Sequence, residues 1–348
     1  MKKYFDIFVN ETVGYANYVY GEILNPSTTN YFYWLIAVSL FFLLLEVVIP
    51  WRKKQKFIRK DFWLDAFYMF FNFFIFSLII YNAASSVVVN LFNDGIKAAT
   101  GGFDLQALNP MNSWPLWAVL LIGFLVRDFV QWWIHRLLHK FEWLWKFHKV
   151  HHSVEEMGFA AHLRFHWMET VVYRTLEYIP LALLGIGLYD FFIIHLFTLS
   201  WGHFNHSNIS VSGKVTGGVV GLLIGVILGN NLLDITIVQN PSILSTSLII
   251  IGATLIGVFL LGPFMKRLFN SPEMHIWHHS YNLPEERRTG INFGLTLAIW
   301  DYIFGTAYVP HSGRDIPLGF PGIETFPKTF QEQTLIGIKN QSSRTEVL

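Results

Sequence analysis

Histidine is the residue type whose number and spacing in this sequence could do chemistry. Ten of the 14 histidines lie in four short motifs, HRLLH, HKVHH, HFNH and HIWHH. Residues three or four positions apart share one face of a helix, so each motif would present its rings on one side. The motif histidines are His135, His139, His148, His151, His152, His203, His206, His275, His278 and His279.

This clustering predicts a site for two metal ions. Imidazole is the commonest protein metal ligand, and at neutral pH it binds without first losing a tightly held proton. Ten rings exceed what one ion can use, whereas two ions about 3.5–4 Å apart would use them together with a few carboxylate or water ligands. The sequence has no cysteine, which excludes iron–sulfur clusters, thiolate catalysis and disulfides. Nitrogen-rich, sulfur-free surroundings suit iron or zinc.

The composition predicts that these rings are held by helices in a membrane. Hydrophobic residues make up 53% of the 348 residues and charged residues 14%, against about 25% charged in a soluble protein. The net charge of +1 offers no electrostatic footprint for nucleic acid. We therefore expect a lipid-embedded protein that has no nucleic-acid partner.

Apolar stretches give the approximate positions of the membrane spans, and four to seven crossings are compatible with them. The stretches cover 32–49, 62–92, 114–134, 171–201, 215–227 and 243–261, with an external loop at 93–113 and a break near 185–190. The basic run WRKKQKFIRK follows the first stretch, and the positive-inside rule assigns it to the cytoplasm. The histidine motifs fall on that same side. Gly217, Gly221 and Gly225 are four residues apart, which predicts helix–helix contact, with a dimer as the alternative.

The motifs in their wider context resemble the fatty acid hydroxylase and sterol desaturase superfamily of membrane di-metal oxygenases. The matching stretches are RDFVQWWIHRLLHKFEWLWKFHKVHHS at 127–153, RFHWMET at 164–170, HFNHSNI at 203–209 and NSPEMHIWHHSYNLPEERRTGINFGLTLAIWDYIFGT at 270–306. The resemblance implies an all-α integral membrane protein, in which a transmembrane helical bundle carries a cytoplasmic helical cap with a histidine-rich di-metal site. It also implies that all ten motif histidines are catalytic metal ligands.

This resemblance and the apolar stretches together divide the chain into six parts. We expect an N-terminal extramembrane segment, three transmembrane helices, a segment with the first histidine motifs and HFNH, an inserted Gly-rich apolar hairpin, a cap with HIWHH and WDYIFGT, and a soluble tail. Their respective boundaries are 1–31, 32–134, 135–214, 215–268, 269–310 and 311–348. The hairpin departs from the family's usual short link.

The implied activity is O2-dependent hydroxylation of an unactivated C–H bond in a lipid of fatty acyl, sterol or ether-lipid type. Two iron ions would serve as cofactors, with zinc as the alternative in a purified sample, and a separate ferredoxin, cytochrome b5 or flavin reductase would supply electrons. Desaturation by the same site is one alternative, and a metal-binding or metal-transport protein without oxygenase activity is another. The sequence carries no C-terminal dilysine or KDEL-type signal, which favours a bacterial inner membrane over the endoplasmic reticulum.

Other polar residues near the motifs are candidates to orient the ligands. Asp128 precedes His135 by two helical turns, so its carboxylate would share the face of that ring and could accept its second N–H, with pairing to a nearby arginine as the alternative. We expect His195 to be satisfied by a neighbour inside a span and Asp301 to brace the fold. The remaining candidates to support the ligands are His166, Glu169, Asn205, Asn208 and Asn292.

Overall fold

The computed structural model of this chain describes residues 2–76, 82–102, 113–184, 186 and 188–337. Those residues contain fourteen α-helices and no β-strand, which confirms the all-α class for the described part of the chain. The first seven helices are α1 Lys2–Leu24, α2 Tyr31–Val48, α3 Phe62–Phe70, α4 Asn82–Thr100, α5 Leu116–Lys140, α6 Glu142–His152 and α7 Trp167–Leu184. The other seven are α8 Leu188–His206, α9 Gly213–Gly229, α10 Ile243–Ile256, α11 Met265–Leu268, α12 Pro272–His278, α13 Ile299–Ile303 and α14 Phe330–Thr334.

Three helical segments among the described residues are long and apolar enough to cross a membrane. They are α2, α5 and the continuous segment Ile243–Leu268, in which α10 runs through a π-helical turn and a 3-10 turn into α11. They correspond to the expected spans at 32–49, 114–134 and 243–261. The apolar segments Phe62–Ile75 and Gly213–Gly229 are also helical but shorter.

The start of the loop predicted at 93–113 lies further along the chain in the structure. The external loop predicted at 93–113 is wrong for its first residues, because α4 stays helical to Thr100. The apolar stretch ends at residue 92, before the polar Asn93 and Asp94. These two residues do not break a helix as Gly or Pro would, so the helix continues through them. Positions 103–112 of that loop, and positions 185 and 187 of the predicted break, lie outside the described residues.

Glycines hold α9 and α10 together as a close hairpin. Gly217, Gly221, Gly225 and Gly229 are the buried residues of α9, and a Cβ at Gly221 would overlap the backbone carbonyl of Ala253 on α10. Small residues let two helices approach to backbone contact, which gives the packing its stability where no hydrophobic effect operates. The glycine spacing therefore corresponds to a helix–helix contact within this chain. Because α10 covers the glycine face of α9, that face cannot also form a dimer contact.

The loops around α12 are tied by buried polar groups. Asn292 takes a left-handed backbone conformation (φ 52°) and its side-chain amide donates to the carbonyl oxygens of Met274 and Tyr308. Ser271 caps α12 by accepting from the N–H of Met274, and Pro272 occupies the first helical turn, where its missing N–H costs nothing. These contacts fix the short α12 against α8, so its histidines face those of the longer helices.

Candidate metal centre

The structure brings nine of the ten motif histidines into two adjacent groups. In each group every ring offers one nitrogen, and these nitrogens all lie within 4.8 Å of one another. We call them the five-histidine group, which is His135, His139, His148, His152 and His278, and the four-histidine group, which is His151, His206, His275 and His279. The groups adjoin, since the rings of His152 and His279 stack with centroids 4.3 Å apart.

Each HxxHH motif contributes to both groups. Consecutive helical residues project about 100° apart, so the paired histidines of a motif diverge. His151 joins the four-histidine group while His152 joins the five-histidine group, and His279 and His278 divide in the same way. The double histidine at the C-terminal end of α6 and of α12, where His279 directly follows the last helical residue, is thus the feature that lets one short helix contribute to both groups.

Hydrogen bonds to the far side of four rings fix which nitrogen carries the proton. The Nδ1–H groups of His135, His278 and His206 donate to backbone carbonyls at 2.8, 2.7 and 2.8 Å, those of Phe293, Ile291 and Gly202 respectively. Nδ1 of His148 lies 2.9 Å from a side-chain oxygen of Glu169, and with its proton on Nδ1 this ring follows the same pattern. A neutral imidazole has one N–H, so each of these rings presents an unprotonated Nε2 to the centre of its group.

The facing nitrogens fit bound cations. The Nε2 atoms of His135 and His148 are 3.1 Å apart, yet neither can donate because both rings are protonated on Nδ1. Two lone pairs at that distance repel unless a cation lies between them. Ligands at right angles around an ion, each about 2.1 Å from it, would be roughly 3.0 Å apart. The other Nε2 pairs, His152–His278, His151–His206 and His206–His275, are 3.0, 3.2 and 2.9 Å apart.

Burial and unpartnered nitrogens support the same conclusion. Neither ring nitrogen of His279 has a hydrogen-bond partner among the described residues, and Nε2 of His139 has none either. Burial, with the neighbouring rings adding to it, lowers the pKa of His148, His151 and His152 well below the usual value. These rings are therefore neutral at physiological pH, with lone pairs available to a metal.

His203 differs from the expectation for the motif histidines, because it belongs to neither group. Its Nδ1 lies 2.9 Å from Nδ1 of His162, and its Nε2 lies 3.2 Å from the hydroxyl of Ser39 on α2. His206 is three positions further along α8, and this offset turns the ring of His203 toward α2. His162 lies outside the four motifs, and their spacing left its role open. Gly202 makes room for its ring, since a Cβ at position 202 would overlap that ring.

Of the supporting residues predicted, Glu169 is the one that contacts a ring of the two groups. Asp128 does not orient His135, and its carboxylate instead accepts from the N–H of Thr296 and the indole of Trp300. Asp128 and His135 do lie on the same helix, but these donors occupy the carboxylate, and Nδ1 of His135 donates to the carbonyl of Phe293 instead. Asp301 braces the same region as expected, accepting from the indole of Trp132 and from two backbone N–H groups.

The remaining candidates bind backbone or surface groups. The Nε2 of His166 faces a backbone carbonyl of α14, and the amide of Asn205 donates to the carbonyl of Leu295. Asn208 accepts from the backbone and side chain of Arg52, which joins the α8 end to the segment after α2. These residues hold the elements around the histidines without touching the rings of the two groups.

A buried ionic network lies near the four-histidine group, and the motif analysis missed it. Arg127 on α5 forms an ion pair with Glu177 on α7, and both side chains are almost fully buried (4% and 7% exposed). Arg127 also contacts Nδ1 of His195, whose Nε2 meets the hydroxyl of Tyr31, so His195 is satisfied by neighbours as expected. The signal that could have found the network is an ionisable residue inside an apolar helix.

Comparison with known proteins gives three results. The sequence model of the fatty acid hydroxylase family matches residues 120–224 and 215–306, which together are more than half of the chain. An ornithine lipid hydroxylase of Rhizobium tropici is 26% identical over 211 residues, which are 61% of this chain and 48% of that protein. A very-long-chain aldehyde decarbonylase of Oryza sativa subsp. japonica is 49% identical over 57 residues, which are 16% of this chain and 18% of that protein. The alignment thus spans about half or less of these relatives, and no solved structure matches.

Proposed function

Because this chain belongs to the fatty acid hydroxylase family, we propose that it is a membrane-bound, di-iron, O2-dependent lipid hydroxylase. The observation that carries the proposal is the convergence of nine imidazoles, eight of them buried and that of His139 half-buried, on two adjacent positions, with lone pairs facing one another. The lipid hydroxylase among the relatives supports a lipid substrate. The all-nitrogen ligand set supports iron, with zinc as the competing ion.

The residues of the chain have separate roles in this proposal. The five-histidine and four-histidine groups would each hold one ion, and Glu169 with the backbone carbonyls behind the rings would keep the unprotonated nitrogens aimed inward. Bound iron would supply the activation of O2 that an unactivated C–H bond requires, since acid–base residues are of little use against such a bond. The burial of eight of the nine rings limits the access of bulk water to the site, and the half-buried ring of His139 marks its more open side.

We also propose that the histidine groups lie at the cytoplasmic face of the membrane. The basic segment after α2 and the Lys140 end of α5 lie on the histidine side of the apolar helices, which supports that orientation by the positive-inside rule. In this arrangement α6, α12 and α13 would form the cap, and the apolar helices would let a lipid reach the site without leaving apolar surroundings. The relative from Rhizobium supports a bacterial inner membrane.

Metal analysis and an oxidation assay together test the function. Purified protein should hold about two irons, and with O2, a reduced donor and membrane lipid it should yield products heavier by one oxygen atom. Alanine at His151, His152, His278 or His279 should abolish turnover and lower the metal content while membrane insertion persists. The matched control is His311→Ala, because His311 lies outside both groups. Full activity in any two of the four variants would contradict the proposal, and loss of two hydrogens from the product would indicate desaturation.

A further inference from the structure

A cavity of about 130 Å³ lies between α5, α7 and α8, beside the four-histidine group. His206 and His275 form part of its wall, and none of the described residues that line it belongs to the five-histidine group. A protein cavity of about 150 Å³ can bind benzene, so this cavity has room for a group of roughly that size. It would hold a short part of a lipid and not a whole acyl chain.

Three polar atoms of residues in this wall have no hydrogen-bond partner among the described residues. They are Oδ1 of Asn72, Oγ1 of Thr170 and Oδ1 of Asn205, and the three residues are 3%, 8% and 2% exposed. The side-chain nitrogen of each asparagine donates to backbone carbonyls, which fixes the oxygen as the unpaired end. Two acceptors and one hydroxyl of lining residues are therefore unpaired, and a ligand that donates hydrogen bonds would pair them after small movements of the side chains that cover them.

The same wall offers unused donors. Arg127 has five N–H groups, and its protein acceptors among the described residues are Glu177, Thr198 and His195. Two N–H groups thus remain for a ligand oxygen. Ionisable side chains within apolar helices usually face a functional cavity, because burying them elsewhere is costly. The wall is suited to a group that both donates and accepts hydrogen bonds.

An alkyl segment in this cavity would leave all of these buried groups unpaired. A site built to hydrogen-bond a substrate O–H or N–H rejects an analogue that lacks it by on the order of 10⁴-fold. We propose that the cavity receives a hydroxyl- or amide-type group of the lipid substrate, so that the carbon oxidised lies beside this polar group and not far along an acyl chain. This inference rests on the proposed lipid hydroxylase function for its chemistry, while the binding it predicts can be measured separately.

The test compares two probes that differ in one donor. N-ethylhexadecanamide and ethyl hexadecanoate share chain and shape, but the first has an N–H where the second has an oxygen. With zinc-loaded protein in lipid nanodiscs, the amide should bind at least about tenfold more tightly, as one buried hydrogen bond would give. Thr170→Val removes one partner without changing shape and should reduce this preference by at least about threefold. The matched control Thr254→Val, on α10 away from the cavity, should leave it unchanged.

The outcomes separate this inference from the proposed function. Thr170→Val should melt no lower than the unaltered protein, because the hydroxyl it removes is unpartnered, so a change in preference would not reflect misfolding. Equal affinity for the two probes, or an amide preference that Thr170→Val leaves intact, would overturn the inference even if iron-dependent lipid oxidation were observed. An amide preference that depends on Thr170, without O2-dependent product from any lipid, would support the binding site and overturn the hydroxylase function alone.

Discussion

Replacing Glu169 with leucine should weaken metal binding at the five-histidine group by about 100-fold. The Nδ1–H of His148 donates to Glu169 at 2.9 Å, and the two side chains are 1% and 0% exposed, so no water can replace the lost acceptor. Loss of such a partner behind a ligand typically costs 10–100-fold in metal affinity, or about 1.4–2.8 kcal/mol. A buried N–H left unpaired costs about 1–3 kcal/mol, and this range agrees with the cost derived from the loss of metal affinity. The dry environment places Glu169→Leu at the upper end of this range.

The isosteric variant Glu169→Gln gives an internal comparison. It keeps an acceptor oxygen for His148 and removes only a charge that is already disfavoured, because burial raises the pKa of the Glu169 carboxyl well above its usual value. We therefore expect a loss of about tenfold or less, between the unaltered protein and Glu169→Leu. Affinity would be measured by competition with a chelator, with Glu324→Leu as a control at an exposed position. Unchanged affinity in a folded Glu169→Leu variant would show that the carboxylate does not orient the ring, and the account of the ligand tautomers would fail.

Three further outcomes follow from other contacts. The His203→Ala variant should keep its bound metal, whereas the His206→Ala variant should lose metal, as measured by elemental analysis. The reason is that His206 belongs to the four-histidine group and His203 belongs to neither group. Equal losses would place His203 among the ligands. Metal-free protein should become less stable as the pH falls below about 6.5. Burial lowers the pKa of the rings of α6 and α12 in the folded state, so the unfolded state binds more protons at these histidines. A melting temperature that stays constant from pH 8 to pH 5.5 would contradict this. Gly221→Leu should lower the melting temperature without changing the metal content, because its side chain would collide with Ala253; an unchanged melting temperature would show that the hairpin can separate at no cost.

The sequence determined the chemistry of the site and the class of protein. Ten histidines in helical spacing, without a competing cysteine, leave imidazole as the metal ligand, and the apolar composition requires helices in lipid. These conclusions depend only on residue type and on the spacing of residues that are close in sequence. Both can be read without knowing how distant parts of the chain pack together. The resemblance carried by the motif contexts led to the family, which the matched region confirms.

The tertiary structure decided how the rings divide between the two groups. HxxHH contains no information on which of its rings joins which group, because that depends on the angle at which α6 and α12 meet α5 and α8. The same is true of His203, which has the spacing of a ligand but faces Ser39, and of Asp128, which has the spacing of a ring partner but binds backbone N–H groups from a distant loop. Periodicity gives the face of a helix, whereas the neighbour on that face is set by long-range packing. For that reason Arg127, Glu177 and the unpaired atoms of the cavity became a candidate binding site only once three helices had been brought together.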